Sequence, residues 1–287
     1  MSKRSRARRD TELDPLSLGG PARAADPAAE EVPAGPLWPQ AYTNRYEIKY
    51  LIPARDLRQV RAVLSGLLAP DANNGQQGGY VNQSVYFDSP HYRYYTEKHE
   101  GELARIKPRI RFYRSALGAE ASSVFLEFKG RYDRIVAKRR MQLTKAEADD
   151  LLNGGAAARV LQGHHDAVAR EFIYLCDRYN LQPCVMTVYN REAFHSDFYG
   201  SLRVTFDTRF QCSLAIRADS PPAGYIEALP GGETVLEVKY NEQVPKIMIS
   251  RLNSLGLQQR TFSKFAVALE RCFDQFRSRR FRSSRFQ

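Results

Sequence analysis

The sequence predicts an α+β fold in which helices pack outside an antiparallel β-tunnel, or barrel, with a charged lumen. Three observations lead to this fold class. Five short runs alternate charged with apolar residues, helical stretches lie between some of these runs, and the charges recur two positions apart. Because successive side chains of a strand point to opposite faces, each run places its charges on one face and its apolar residues on the other.

The predicted elements follow one another along the chain. Five strands with one charged face are predicted at 45–51, 109–113, 125–129, 201–207 and 234–240. Helices are predicted at 54–68, 145–152, 167–179 and 262–276, the first after Pro53 and the second after Thr144. If the apolar strand faces pack against these helices, the charged faces must point at each other inside a closed or nearly closed barrel.

Composition predicts one folded domain between two tails. Residues 1–40 are rich in Ala, Pro, Gly and charged residues, so they cannot bury enough apolar surface to offset their ordering entropy. We expect a disordered tail there, a tunnel domain over 41–275 and a basic tail over 276–287. Residues 75–79 and 219–232 have the composition of loops.

The charged faces indicate the chemistry of the lumen. Glu-x-Lys and Arg-x-Arg pairs point the same way on their strands: Glu47 and Lys49, Arg109 and Arg111, Glu127 and Lys129, and Glu237 and Lys239. Unpaired buried charge is costly, so such an interior requires water and a polyanion to fill it. Carboxylates among the cations favour a triphosphate with a divalent metal over nucleic acid, which has little use for inward Glu.

Net charge and cysteine content narrow the class of protein. A formal net charge of +11 over 287 residues favours a polyanionic partner. No P-loop and no dinucleotide fingerprint appears, so the phosphate site must consist of side chains. The four cysteines lack metal-ligand spacing and are expected to be ordinary thiols. Without a long apolar stretch or a signal peptide, we expect a cytoplasmic protein. Because of the inward carboxylates, we expect no nucleic-acid partner.

Seven motifs occur in order: YEIKY (46–50), YFDSP (86–90), KPRIRFY (107–113), LEFK (126–129), YNREAF (189–194), LEVKY (236–240) and SKF (263–265). Together they resemble the motifs of the VTC domain, the polyphosphate polymerase domain of the vacuolar transporter chaperone complex and its bacterial relatives. That family belongs to the triphosphate tunnel metalloenzymes. The resemblance spans about residues 43–273. Family members that make long chains often have a further Lys just before SKF, where this chain has Arg260, Thr261 and Phe262.

The resemblance implies a metal-dependent transfer of the terminal phosphate of a nucleoside triphosphate, ATP, to a growing polyphosphate. Mn²⁺ or Mg²⁺ is the implied cofactor, with Glu237 as its ligand. The implied catalytic residues are Lys49, Arg109, Arg111, Lys129, Lys138 and Arg191. The expected substrate-binding residues are Arg203, Arg209, Ser263, Lys264, Glu47 and Glu127. A separate membrane protein is an implied partner, which would place the domain at the cytoplasmic face of a membrane.

Three other functions remain open from the sequence. A tunnel triphosphatase would hydrolyse short triphosphates, with Glu47 or Glu127 positioning the water. A non-catalytic module would bind polyphosphate or inositol phosphates without turnover. A nucleic-acid binder would use the same net charge without a metal. A chain-length assay separates polymerase from hydrolase, and metal dependence of product formation separates both from the binding module.

Overall fold

The computed structural model describes residues 46–75, 78–116, 119–132, 135–214, 216, 224–229, 231–241 and 244–283. The predicted tail at 1–40 lies outside these residues. Of the predicted basic tail at 276–287, the part up to Ser283 belongs to the last helix, and the rest lies outside the described residues.

Within the described residues, ten strands form one sheet, and its antiparallel pairing confirms the predicted arrangement. Their order is β1-β10-β8-β7-β3-β4-β5-β6, with β2 beside β7 and β9 beside β8. Every pair of neighbours is antiparallel. The strands are β1 (Tyr46–Ile52), β2 (Ala69–Pro70), β3 (Tyr80–Asp88), β4 (Ala104–Arg114), β5 (Ala121–Tyr132), β6 (Ile135–Leu143), β7 (Gln182–His195), β8 (Arg203–Ser213), β9 (Ile226–Glu227) and β10 (Thr234–Tyr240).

Seven helices lie within the described residues: α1 (Leu57–Ser65), α2 (Arg93–Glu100), α3 (Lys145–Leu152), α4 (Ala157–Val160), α5 (Ala167–Tyr179), α6 (Lys246–Ser254) and α7 (Lys264–Ser283). The predicted bounds of α3 and α5 are confirmed, because local capping fixes both starts. The side chain of Thr144 and that of Glu147 form a reciprocal capping box, and Asp166 accepts a hydrogen bond from the backbone N–H of Val168. The helix predicted at 54–68 is shorter, and the one predicted at 262–276 extends further.

The apolar strand faces pack against helices, as the alternation predicts. One core cluster surrounds Phe112, Phe128 and Phe172 and includes residues of α3, α5 and α7. A second cluster joins β1, β8 and β10 to α1 and α6 and includes Leu236 and Leu252. On the other face of the sheet, buried charged side chains line the lumen, so the inward direction of the charged faces is confirmed.

The sheet is not closed by a backbone ladder, but side chains and one loop approach across its open edge. Among the strand pairs of the described residues, none joins the two ends of the sheet, β1 and β6. A segment before α7 runs beside β1, where Gln259 pairs with Tyr50. Across the remaining gap, the Nζ atom of Lys129 on β5 lies 3.4 Å from a carboxylate oxygen of Glu47 on β1. The charged faces of β1 and β5 therefore meet inside the sheet.

The cysteines are consistent with the sequence interpretation, because all four are free thiols. Cys212 and Cys272 are buried, and Cys176 and Cys184 are partly buried. The helices within the described ranges include none that is long and apolar enough to cross a membrane.

Candidate functional site

Glu237, on β10, is the centre of a dense group of charges that we call the carboxylate cluster. The Nζ atoms of Lys239 and Lys264 each lie 2.8 Å from one of its oxygens. Arg191 and Lys49 approach to 3.4 and 3.7 Å. Burial raises the pKa of Glu237, but these cations outweigh it and hold the pKa well below its ordinary value. The carboxylate is therefore ionised at neutral pH.

Asp207, on β8, is the second buried acid of this cluster. Arg191 donates two hydrogen bonds of 2.6 Å to its two oxygens. The Nζ atom of Lys264 lies 2.6 Å from Asp207, so this lysine bridges Asp207 and Glu237. Burial lowers the pKa of Lys264, yet the two carboxylates overcome that effect and raise it. Lys264 is the first residue of α7, so a helix outside the sheet supplies a charge to the lumen.

Strand register explains why the cluster forms. Lys49 pairs with Glu237 across β1 and β10, and the next inward pair is Glu47 with Lys239. Each cross-strand pair thus joins opposite charges on the same face. The members of the carboxylate cluster are Glu47, Lys49, Arg191, Asp207, Glu237, Lys239 and Lys264.

The opposite side of the lumen, on β4, β5 and β6, is a basic wall around Glu127. Arg109 donates hydrogen bonds of 3.0 and 2.7 Å to one oxygen of this fully buried carboxylate. Lys138 lies 2.6 Å from the other oxygen, and Arg111 lies 3.9 Å from the first. Burial raises the pKa of Glu127, but the three cations bring it down to about 2. Lys107 and Lys129 complete the basic wall on β4 and β5.

Sequence reasoning did not select Lys107 as a site residue. Its Nζ atom donates a 2.9 Å hydrogen bond to the hydroxyl of Ser263. Burial and the nearby charges of Lys129 and Lys49 lower its pKa to about 7. The signal was present in the KPRIRFY motif, where Lys107 stands two residues before Arg109 and so shares its face.

Two lysines of the basic wall that the sequence did predict as site residues, Lys129 and Lys138, also have lowered pKa values. Glu47 raises the pKa of Lys129, but burial and Lys49 more than offset this and bring it to about 8. Burial lowers the pKa of Lys138 to about 8, although Glu127 opposes the change. Cations are thus crowded on this wall beyond what its carboxylate neutralises.

A model of the VTC domain family matches residues 44–273 of the sequence. The chain belongs to the VTC domain family. This confirms the resemblance that the seven motifs indicate. No curated protein sequence is significantly similar to it.

Solved structures similar to this VTC domain are distant in sequence. A putative adenylate cyclase from Bacillus halodurans has 12% identity and a TM-score of 0.42, covering 77% of this chain and 95% of its own. A putative adenylate cyclase from Vibrio parahaemolyticus has 9% identity and a TM-score of 0.43, with coverages of 79% and 98%. A protein of Pyrococcus horikoshii OT3 has 14% identity and a TM-score of 0.41, with coverages of 78% and 96%. We draw no functional conclusion from similarity at this level.

The remaining predicted site residues of the VTC domain differ in whether they reach the lumen. Ser263 and Lys264 reach the lumen through their contacts with Lys107 and Glu237. Arg203 lies at one mouth, with its side chain 57% exposed and 3.5 Å from Asp71. Arg209 is exposed and has a left-handed φ of 50°, beside an irregularity in the β7–β8 ladder. The ion pairs of the described residues do not connect Arg209 to either charged group.

Uncharged polar groups add donors to the lumen of the VTC domain. The amide oxygen of Asn82 accepts a 3.0 Å hydrogen bond from Arg111, while its buried Nδ2 donor has no hydrogen-bond partner among the described residues. The buried hydroxyl of Thr205, which faces Glu237 across the β8–β10 ladder, is likewise without one. Buried donors normally have partners, so both are candidate contacts for phosphate oxygens. The charge-alternation pattern missed Asn82 because β3 carries no charge before Asp88.

The carboxylate cluster contains oxygen atoms of the kind that bind a divalent metal. Within the described residues, no group of three or more His, Cys, Asp or Glu is arranged to hold a metal ion. Mg²⁺, however, is commonly held by one or two carboxylates together with substrate phosphates and water. Glu237 and Asp207 share Lys264 and supply the oxygen ligands that Mg²⁺ and Mn²⁺ prefer. The residues therefore fit an ion shared with phosphate rather than an all-protein metal site.

Proposed function

We propose that this VTC domain is a polyphosphate polymerase. It transfers the terminal phosphate of a nucleoside triphosphate, ATP, to a polyphosphate chain inside the lumen, with Mn²⁺ or Mg²⁺ as cofactor. Family membership supports phosphate chemistry, and the two opposed charged groups support a reaction between two phosphate-bearing substrates. We further propose that residues 41–275 form the catalytic unit, working in the cytoplasm beside a separate membrane protein.

The cation excess of the basic wall is the observation that carries this proposal. Glu127 is ion-paired with Arg109, Arg111 and Lys138, Lys129 is paired with Glu47 across the lumen, and Lys107 adds a further positive charge that faces no carboxylate. Crowding of like charges around a buried site is unfavourable until an anion enters it. A chain of phosphates supplies repeated negative charge along such a wall, which matches its extent over three strands.

Phosphoryl transfer requires alignment and charge stabilisation more than covalent chemistry by the protein. In the proposed arrangement, Arg109 and Arg111 orient the donor triphosphate, and Lys129 and Lys138 hold the acceptor phosphate in line. Glu237 would hold the metal ion, which when bound neutralises charge on bridging phosphate oxygens. Lys49, Arg191 and Lys264 set the charge around that carboxylate and are in place to contact phosphates on the same side.

Acid–base properties favour transfer over hydrolysis. A general base works best when its pKa lies near the operating pH. Burial raises the pKa of Glu47, but the cations that face it, Lys129 first, bring it down to about 2. Glu127 has a pKa of about 2 as well, so neither carboxylate readily accepts a proton from water at neutral pH. This weakens the assignment of a water-activating role that a triphosphatase would need.

The test is to incubate the purified chain with ATP and Mn²⁺ or Mg²⁺ and resolve products by phosphate chain length. We expect a ladder of long chains that Lys129→Ala abolishes and that Lys246→Ala, an exposed substitution on α6, leaves intact. Phosphate and diphosphate without a ladder would establish a triphosphatase instead. Tight polyphosphate binding without turnover would establish a binding module, and displacement of polyphosphate by DNA would point to a nucleic-acid site.

The metal assignment has its own test. Glu237→Gln keeps the shape of the side chain and removes its charge, so metal-dependent turnover should fall by at least about a hundredfold. Glu102→Gln, on an exposed turn, is the matched control and should leave turnover unchanged. Normal activity and normal metal dependence in Glu237→Gln would remove Glu237 from the metal site.

A further inference from the structure

A cavity of about 860 Å³ opens at one mouth of the lumen. Its lining includes three aromatic residues from three adjacent strands, Tyr80 on β3, Tyr113 on β4 and Phe125 on β5. All three are only partly buried, and none belongs to either apolar core. These rings therefore lie outside both apolar cores, beside a charged tunnel.

The three rings form a continuous aromatic wall. The ring centroids of Tyr80 and Tyr113 are 6.0 Å apart, and those of Tyr113 and Phe125 are also 6.0 Å apart. Guanidinium groups lie against them, with Arg140 4.4 Å from the centroid of Phe125 and Arg111 4.9 Å from that of Tyr113. An aromatic wall with adjacent arginines is the type of surface on which nucleobases stack.

Arg111 connects this wall to the phosphate site. Its guanidinium lies against Tyr113 on one side and 3.9 Å from Glu127 of the basic wall on the other. Tyr80 pairs across the ladder with Arg191 of the carboxylate cluster. A planar group stacked on the aromatic wall would therefore lie next to Arg111 of the basic wall and close to Arg191 of the carboxylate cluster.

We propose that this cavity binds the nucleoside part of the donor nucleotide, with its base stacked on Tyr113 and Phe125 and its triphosphate running inward past Arg111. The inference rests on the proposed function, because it assumes a nucleoside triphosphate donor. The volume lies within the range of pockets that hold small ligands. Ser123 also lines the cavity, and its hydroxyl offers hydrogen bonds to a ribose or a base edge.

A growing polyphosphate leaving the tunnel is the competing occupant. Phosphate gains nothing from ring faces, since their negative quadrupole repels an anion. This mouth is also lined by Arg114, Arg140, Arg203 and small polar residues, which suit phosphate, but phosphate alone would not require the three rings. The aromatic wall therefore favours a nucleoside at this mouth.

Equilibrium binding of a non-hydrolysable ATP analogue and of inorganic tripolyphosphate, both with Mg²⁺, tests the proposal on the full chain. In Tyr113→Leu and Phe125→Leu, we expect the Kd of the ATP analogue to rise roughly tenfold. The Kd of tripolyphosphate should change less than about twofold, and this shows that the variants are folded. Tyr113→Phe, which keeps the ring, should bind both ligands like the unaltered chain.

Other results would overturn the inference. Equal weakening of both ligands would mean that the rings only support the basic wall, and no change in either would mean that the nucleoside binds elsewhere. Loss of affinity for long-chain polyphosphate alone would make this mouth the product exit. If the unaltered chain makes a ladder from ATP and any of these results appears, the proposed function stands and the nucleoside pocket fails. If the unaltered chain binds neither ligand, the proposed function fails first.

Discussion

The two sides of the lumen contain the same residue types in different proportions. In the carboxylate cluster, Glu47, Asp207 and Glu237 share four cations, and every described carboxylate of the cluster contacts at least one of them. On the basic wall, Glu127 ion-pairs with Arg109, Arg111 and Lys138, while Lys129 reaches across the lumen to Glu47 and Lys107 has no carboxylate among its described contacts. One side is nearly neutral by itself, and the other becomes so only with an anion.

Two lysines show the consequence of this difference. Lys264 is buried in the lumen and Lys107 is partly buried there, and burial lowers the pKa of each. The two adjacent carboxylates reverse the effect for Lys264, whereas neighbouring lysines add to it for Lys107. The carboxylate cluster therefore stabilises the empty fold, and the basic wall stores unfavourable charge that a bound polyanion relieves.

The largest expected effect is the loss of Lys264. Lys264→Met removes the lysine that bridges Asp207 and Glu237 and leaves Arg191 as the cation that contacts both, so the free energy of unfolding should fall by about 3–5 kcal/mol. Urea denaturation at pH 7 measures it. Lys246→Met, on the exposed face of α6, should change it by less than about 0.5 kcal/mol. A loss below about 1 kcal/mol at Lys264 would mean that the cluster does not stabilise the fold.

The next effect concerns the backbone beside the carboxylate cluster. A Cβ atom on Gly79 would lie 2.8 Å from the backbone oxygen of Arg191, so Gly79→Ala must displace β3 or β7. We expect a loss of about 1–3 kcal/mol in the free energy of unfolding. Gly66→Ala is the matched control, because a Cβ there meets nothing within 4 Å. Equal stability of the two variants would show that the β3–β7 contact yields easily.

A pH dependence of binding should follow from the basic wall. Lys107 has a pKa of about 7, and Lys129 and Lys138 of about 8, so these groups lose their charge as the pH rises from 6.5 to 9. The protonated forms bind phosphate, so the affinity for long-chain polyphosphate should fall by about tenfold over this interval. Glu47 and Glu127, with pKa values of about 2, stay ionised throughout. Internal phosphates of a long chain keep a constant charge here, so the ligand does not mask the effect. A flat profile would contradict the lowered pKa values.

The smallest effect on stability is expected at Lys107. Lys107→Met removes a like-charge neighbour of Lys129 at the cost of a hydrogen bond to Ser263, so the free energy of unfolding should stay within about 1 kcal/mol of the original. Polyphosphate affinity should nevertheless fall, and the pH profile between 6.5 and 8 should flatten. A loss of stability as large as that of Lys264→Met would contradict the proposed difference between the carboxylate cluster and the basic wall.

The sequence by itself determined the parts of the fold that depend on local pattern. Charge alternation predicted β1, β4, β5, β8 and β10, because the period of a strand is visible wherever one face is ionic. Thr144, a capping residue, located the start of α3. The same pattern missed β3 and β7, whose inward residues include uncharged Asn82 and Tyr189. Motif order was enough to assign the VTC family.

Only the tertiary structure decided which charges meet. Alternation predicted that Arg203 and Arg209 lie on the same face of β8. Arg209 itself, however, adopts a left-handed φ at the irregularity of the β7–β8 ladder, and its side chain is exposed. Alternation also predicted that Lys49 and Glu237 face inward, yet the bridge that Lys264 makes between two strands depends on how α7 docks. Pairing across the lumen joins residues far apart in the chain, and the energy of each buried charge depends on those partners. A local pattern predicts the face of the strand on which a side chain lies, but it contains no information about the residue that this side chain contacts.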